Sequence, residues 1–127
     1  MSVFKVILAS TFLLSFQTGP AAAATSEWMN AHDFQRFSRK HLRKKNVPTS
    51  IRCKPAQNTR GLTRYNTMIQ VTYKETNKRI RWHWAWGTSV GVQNRKLPKK
   101  GFKRVSFYQS VRKSGLKLPC AIWHKAL

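Results

Sequence analysis

The side chains of this 127-residue chain that could take part in chemistry are four histidines and 25 lysines and arginines. The histidines are His32, His41, His83 and His124. Two imidazoles flanking a phosphate, with a nearby cation to stabilise charge, can cleave RNA by general acid–base catalysis. His83 and Arg81 share one face of a strand-like stretch, so they are the candidate catalytic residues if the protein is a small secreted basic ribonuclease. Each histidine could equally be a partly exposed side chain with no special role.

The sequence lacks the residue patterns that other kinds of catalysis need. Glu27, Asp33 and Glu75 are the only carboxylate side chains, and they are too scattered to form the acid pair of a glycosidase. His32 and His41 are nine positions apart, which is not a zinc-ligand spacing. The sequence has neither a phosphate-cradling glycine loop nor a G-x-S-x-G motif. We therefore expect no metal and no cofactor, and we favour a non-catalytic function.

The positive charge points to an anionic partner. The formal net charge is +22 at pH 7, which favours lipopolysaccharide, an anionic membrane surface or nucleic acid as the ligand. One alternative is an inhibitor or accessory protein that docks on an acidic protein partner. Another is that the basic residues form an ordinary solvated face. The candidate polyanion-binding residues are Arg36, Arg39, Lys40, Arg43, Lys44, Lys45, Lys74, Arg79, Arg81 and His83.

The N-terminus resembles a signal peptide. Lys5 precedes an apolar run from Val6 to Phe16, and small residues at 21–24 offer a cleavage site. The run is shorter than the roughly 20 residues that a membrane-spanning helix needs. We expect residues 1–24 to be removed on export to the periplasm or beyond, leaving residues 25–127 as one small basic domain.

Cys53 and Cys120 are the only cysteines. Export to an oxidising compartment favours their pairing in a disulfide bond. The alternative is two free, buried thiols.

A tryptophan-rich strand is the clearest periodic signal. Residues 79–86 alternate an aromatic face with a cationic one, and residues 67–74 alternate as well, which predicts a β-hairpin with a turn near Thr76 and Asn77. The expected cross-strand pairs are Tyr73 with Ile80, Val71 with Trp82, Ile69 with Trp84, and Glu75 with Lys78. The tryptophans would form core beneath the first helix, or else an exposed platform for sugars or bases.

The remaining elements define the expected fold class. Asn30 can cap an amphipathic helix whose apolar side includes Phe34 and Phe37. Residues 49–53, 102–111 and 116–123 read as strands, with Pro119 marking an edge strand. We predict an α+β domain in which an N-terminal amphipathic helix packs on an antiparallel sheet of about five strands, closed by one disulfide.

The two halves of the chain share a faint repeat. The segment from Lys44 to Cys53 parallels that from Lys99 to Tyr108. In the second half, residues 101–106 (GFKRVS) and 120–125 (CAIWHK) resemble the G-[YF]-R-x-x-S and A-A-[IV]-W pattern of the bacterial tandem repeats that accompany polyglycine-hydrolase-type proteins. The resemblance covers about a quarter of the chain and lacks the usual arginine-proline pair. It implies a small, non-catalytic, β-rich unit with no active site to transfer.

Overall fold

Alternating apolar and polar residues form most of the strands, and two helices interrupt them. The computed structural model describes residues 22–43, 45–56, 61–112 and 114–127. The elements, in chain order, are β1 (Ala24–Thr25), β2 (Met29–Asn30), α1 (Ala31–His41), β3 (Asn46–Pro55), β4 (Thr67–Glu75), β5 (Ile80–Trp86), α2 (Thr88–Lys96), a 3-10 turn (Pro98–Lys100), β6 (Lys103–Val111) and β7 (Lys117–Ala126). The predicted α+β class is confirmed.

The strands form two antiparallel sheets. In sheet A, β4 is central, with β3 on one side and the short β1 and β2 on the other. In sheet B, β7 is central between β5 and β6. The prediction of one sheet of about five strands beneath an N-terminal helix is therefore wrong, since α1 follows β1 and β2 and the strands divide between two sheets.

The predicted hairpin is also wrong in its pairing, although both of its strands exist. β4 pairs with β1, β2 and β3, whereas β5 pairs with β7, so that Trp84 lies opposite Ile122. The expected partners Val71 and Trp82 belong to different sheets. Alternation shows which side of a strand is apolar, but it does not say whether that side meets a neighbour in the same sheet or the face of another sheet.

Pro119 lies in the central strand of sheet B, so its prediction as an edge-strand residue is wrong. It is opposite Gln109 of β6, and the β5 pairing has already ended at Cys120. The backbone N–H of Gly87 donates to the Pro119 carbonyl over 2.8 Å. A proline is tolerated here because the neighbouring ladder ends before it needs the missing N–H.

The main core lies between the sheets and beneath α1. Asn30 caps this helix, since its Oδ1 accepts from the Asp33 backbone N–H at 2.7 Å. Phe34 is fully buried, and its ring meets Trp84 edge-on at 4.5 Å. All three tryptophans of β5 are partly buried against this core. They therefore supply apolar area to the interior, as the core interpretation of the ladder expects.

The disulfide between Cys53 of β3 and Cys120 of β7 is confirmed and joins the two sheets. Its Cα atoms are 6.2 Å apart, and both residues are fully buried. It links positions 67 residues apart, which in the chain-entropy model stabilises the fold by about 4 kcal/mol. Such a bond indicates an oxidising compartment outside the cytoplasm.

The two halves of the chain have the same topology. In the first unit (residues 24–75) an interrupted edge strand, β1 and β2, is followed by a helix and two strands, and the last strand is central. The second unit (residues 80–126) repeats this order as β5, α2, β6 and β7. Each also has a register irregularity at the same place, between Pro48 and Ser50 in β3 and between Arg104 and Ser106 in β6. The parallel seen in the sequence thus lies within a repeated βαββ unit, but the register irregularities align Cys53 with Gln109 and not with Tyr108.

Candidate anion-binding site

The first group of candidate residues is the basic helix face, which consists of Arg36, Arg39, Lys40 and Arg43. All four side chains are exposed, while the opposite side of α1 packs on the core. Three of them lie at the C-terminal end of α1 or just after it, where the helix dipole favours positive charge. Lys44, which was also predicted to bind polyanions, lies outside the described residues.

The second group surrounds the open end of the space between the two sheets, which we call the mouth. A cavity of about 680 Å³ lies here, and Lys74 and Lys78 are among its lining residues. An adjoining cavity of about 360 Å³ is lined in part by Lys45, Lys78 and Arg79. Four lysines and arginines therefore converge on two neighbouring concave sites, a geometry suited to holding an anionic group.

Backbone hydrogen bonds join the segment after α1 to the rim of the mouth. After α1 the chain turns sharply, and the backbone N–H of Lys45 donates to the Arg43 carbonyl at 2.7 Å. The Lys45 carbonyl then accepts from the Thr76 N–H, also at 2.7 Å, at the start of the β4–β5 connection. This bond holds the segment after α1 against the rim of the mouth, so the C-terminal end of the basic helix face lies beside the mouth.

A carboxylate and an imidazole side chain also line the larger cavity. Glu75 and His124 lie near the C-terminal ends of the two central strands, β4 and β7. By alternation, Glu75 shares the inner face of β4 with Val71, and His124 shares that of β7 with Ile122. His124 Nε2 lies 2.7 Å from the Pro48 carbonyl oxygen, so Nε2–H donates to it. The apolar core between the sheets thus ends at the mouth, where polar side chains form the last layer.

Arg81 and His83 are elsewhere, on the outer face of sheet B. Both are exposed, and the His83 ring meets Phe102 edge-on at 4.9 Å. The pKa of His83 lies below its ordinary value of 6.5, because partial burial disfavours the charged imidazolium and because Lys100 and Arg81 add positive potential. His83 therefore carries little charge at neutral pH, and the sheet separates it from the mouth.

Sequence reasoning identified part of this site and missed part. It named Lys45, Lys74 and Arg79, which the structure brings together, and it named His124 only as one of four candidate histidines. It did not name Lys78 as a binding residue. It grouped Lys74 with Arg81 in a hairpin that does not exist. Residues 118–124 do not reveal the inward side of His124, because apolar residues occupy both sides of this strand. Its place at the mouth follows only from the strand pairing.

Within the part of the chain that the structure describes, neither helix has the length and apolar character needed to cross a membrane. No protein-family model, curated protein or solved structure matches this chain.

Proposed function

We propose that this protein is exported after removal of residues 1–24 and binds an anionic macromolecule or surface without altering it, through the basic helix face and the mouth. Lipopolysaccharide, an anionic membrane and nucleic acid all present phosphate groups, and phosphate is the shared chemistry of these ligands. The observation that carries the proposal is the set of exposed cations on the basic helix face and around the mouth. Three carboxylate side chains cannot neutralise it in a chain with 25 lysines and arginines.

Binding of this kind has a defined salt dependence. Each phosphate that a cation neutralises releases condensed counterions, so the logarithm of the binding constant falls linearly with the logarithm of the salt concentration. For single-stranded nucleic acid the slope is about −0.7 per phosphate contact. The test is fluorescence titration of the mature protein with labelled RNA, with lipopolysaccharide and with anionic vesicles over a range of salt concentrations. Absence of salt-sensitive binding to all three ligands would contradict the proposal and leave the acidic protein partner as the alternative.

Three variants with equal changes in charge locate the site. Each replaces four exposed cations by glutamine. The mouth variant changes Lys45, Lys74, Lys78 and Arg79. The helix variant changes Arg36, Arg39, Lys40 and Arg43. The control changes Arg95, Lys96, Lys99 and Lys100, which are exposed in α2 and in the 3-10 turn that follows it.

The mouth and helix variants should each flatten the RNA salt slope, by up to about 3 if all four contacts are lost. The control should change it much less, because its cations lie outside the proposed surface. Equal flattening in all three variants would show that net charge alone governs binding, and the site assignment would then be wrong.

A second candidate function, RNA cleavage, is favoured by one observation: Glu75 and His124 line the same cavity as Lys74 and Lys78. A carboxylate could take the proton of a ribose 2′-hydroxyl as its oxygen attacks phosphorus. An imidazolium could then protonate the departing 5′-oxygen, which would leave a 2′,3′-cyclic phosphate. The hypothesis thus moves from His83, which lies on the other side of the sheet, to His124.

Incubation with RNA and with a matched 2′-deoxy oligonucleotide tests this second candidate. Cleavage of RNA alone, reduced by about 10² to 10⁴ in Glu75→Gln while binding is retained, would support it. Binding of RNA without cleavage would leave the non-catalytic proposal.

A further inference from the structure

Equivalent strands of the two βαββ units bury opposite faces. In β3 of the first unit, Ile51 and Cys53 are 2% and 0% exposed. With the two register irregularities aligned, their equivalents in β6 are Phe107 and Gln109. Phe107 is 47% exposed and Gln109 is also exposed. Ile51 and Cys53 are covered because the second unit packs on this face of the first, whereas α2 covers only the β5 and β7 part of the corresponding face of the second unit.

We call the uncovered part of the second unit the open face, and it consists of Phe107, Gln109 and Val111. These residues alternate along β6 with half-buried ones, so they share one side of the strand. Val111 is 64% exposed. The open face is therefore an apolar strip on a strand whose equivalent in the same molecule is buried by a neighbouring unit.

The contact between the two units of one chain, which we call the internal junction, shows what kind of surface covers such a strip. It is the back of the next unit, meaning the sheet side away from that unit's helix. Cys120 on the back of sheet B forms the disulfide with Cys53, and the Ile51 backbone N–H donates to Ser106 Oγ at 3.1 Å. The back of the first unit has the equivalents of both contacts, because Gln70 corresponds to Cys120 and Ser50 to Ser106.

We propose that copies of this protein stack head to tail, with the open face of one copy against the back of sheet A of the next. In this junction Gln109 faces Gln70 of the next copy at the position of the internal disulfide, and two side-chain amides can hydrogen-bond there. Phe107 is then removed from water, as its equivalent Ile51 is within the chain, and Val111 is partly covered, as its equivalent Pro55 is. Because the contact is between two different surfaces, it can extend beyond a dimer, either as an open stack or as a closed ring.

Repulsion between the cationic copies makes stacking depend on the salt concentration. The back of sheet A exposes Arg52 and Lys54, and each copy is strongly cationic, so repulsion opposes stacking at low salt. At 1 M salt the screening length is about 3 Å, and most of this repulsion is removed. Stacking should therefore strengthen with salt, the opposite of polyanion binding. It does not depend on the proposed function.

A cysteine pair tests the geometry directly. The internal disulfide spans 6.2 Å between Cα atoms, so the double variant Gln70→Cys/Gln109→Cys should cross-link between copies when oxidised at 1 M NaCl without polyanion. The expected result is a ladder of covalent oligomers on a non-reducing gel, with peptides joining positions 70 and 109 by mass spectrometry. Each single variant can form at most a dimer.

The matched control pairs Gln109→Cys with Thr72→Cys, which lies two residues along the same side of β4 and so is displaced by about 7 Å. Cysteines offset by that distance do not bridge without backbone movement, so this pair should give no ladder. Adding Phe107→Ser to the Gln70/Gln109 pair should remove its ladder. Absence of a ladder from the Gln70/Gln109 pair, or an equal ladder from the control, would overturn the proposal, whether or not the protein binds polyanions.

Discussion

Replacement of Trp84 by alanine tests the assignment of the tryptophan ladder to the core. Trp84 is half-buried between the sheets and meets the fully buried Phe34 ring at 4.5 Å. A tryptophan in such a position removes about 150 Å² of surface from water, which corresponds to about 4 kcal/mol at 25 cal/mol per Å². Alanine keeps a small part of this area, and water can partly fill the gap, so we expect a loss of about 3 kcal/mol in the free energy of unfolding.

Urea denaturation of the oxidised protein, followed by far-ultraviolet circular dichroism, measures this loss as a lower midpoint with an unchanged slope. The matched control is Arg81→Ala, which lies on the same strand but on its exposed outer face and should cost less than about 0.5 kcal/mol. A loss of under about 1 kcal/mol in Trp84→Ala, accompanied by lost binding of sugars or nucleotides, would refute the core assignment. The ladder would then be a binding platform.

Three further predictions concern the disulfide, the titration of His83 and export. Mass spectrometry of the exported protein should show two hydrogens fewer than the reduced form, and Cys53→Ala/Cys120→Ala should lower the unfolding free energy by about 4 kcal/mol in urea denaturation; an unchanged midpoint would contradict a stabilising role. Because the pKa of His83 is lowered by folding, its contribution is complete above pH 6.5 and is lost as the pH falls through the folded-state pKa. Wild type should therefore lose more thermal stability than His83→Asn between pH 7 and pH 5.5, and parallel curves would argue against this titration. Intact mass should also place the first residue of the exported chain at Thr25, and an intact N-terminus would refute cleavage.

The candidate site could be predicted only in part, because its members come from distant segments. Lys45 and Arg79 were recognisable as basic residues near the ends of predicted elements. Their convergence depends on the β4–β5 connection crossing from one sheet to the other, which alternation along a strand does not encode. His124 reaches the mouth because it shares the inner face of β7 with Ile122, a side that the sequence does not reveal because both faces of β7 are apolar.

The sequence by itself determined the local structure and the covalent link. Alternation set which side of β5 is apolar, Asn30 set the start of α1, and two cysteines allowed only one intramolecular disulfide. Each of these features depends on residues that are close together in the sequence or on the number of cysteines. Only the tertiary structure decided how the strands are shared between two sheets, and therefore that the second unit buries Ile51 while Phe107 stays exposed. The physical reason is that an apolar strand face is stabilised by any apolar surface that covers it, so the partner is chosen by the packing of the whole chain.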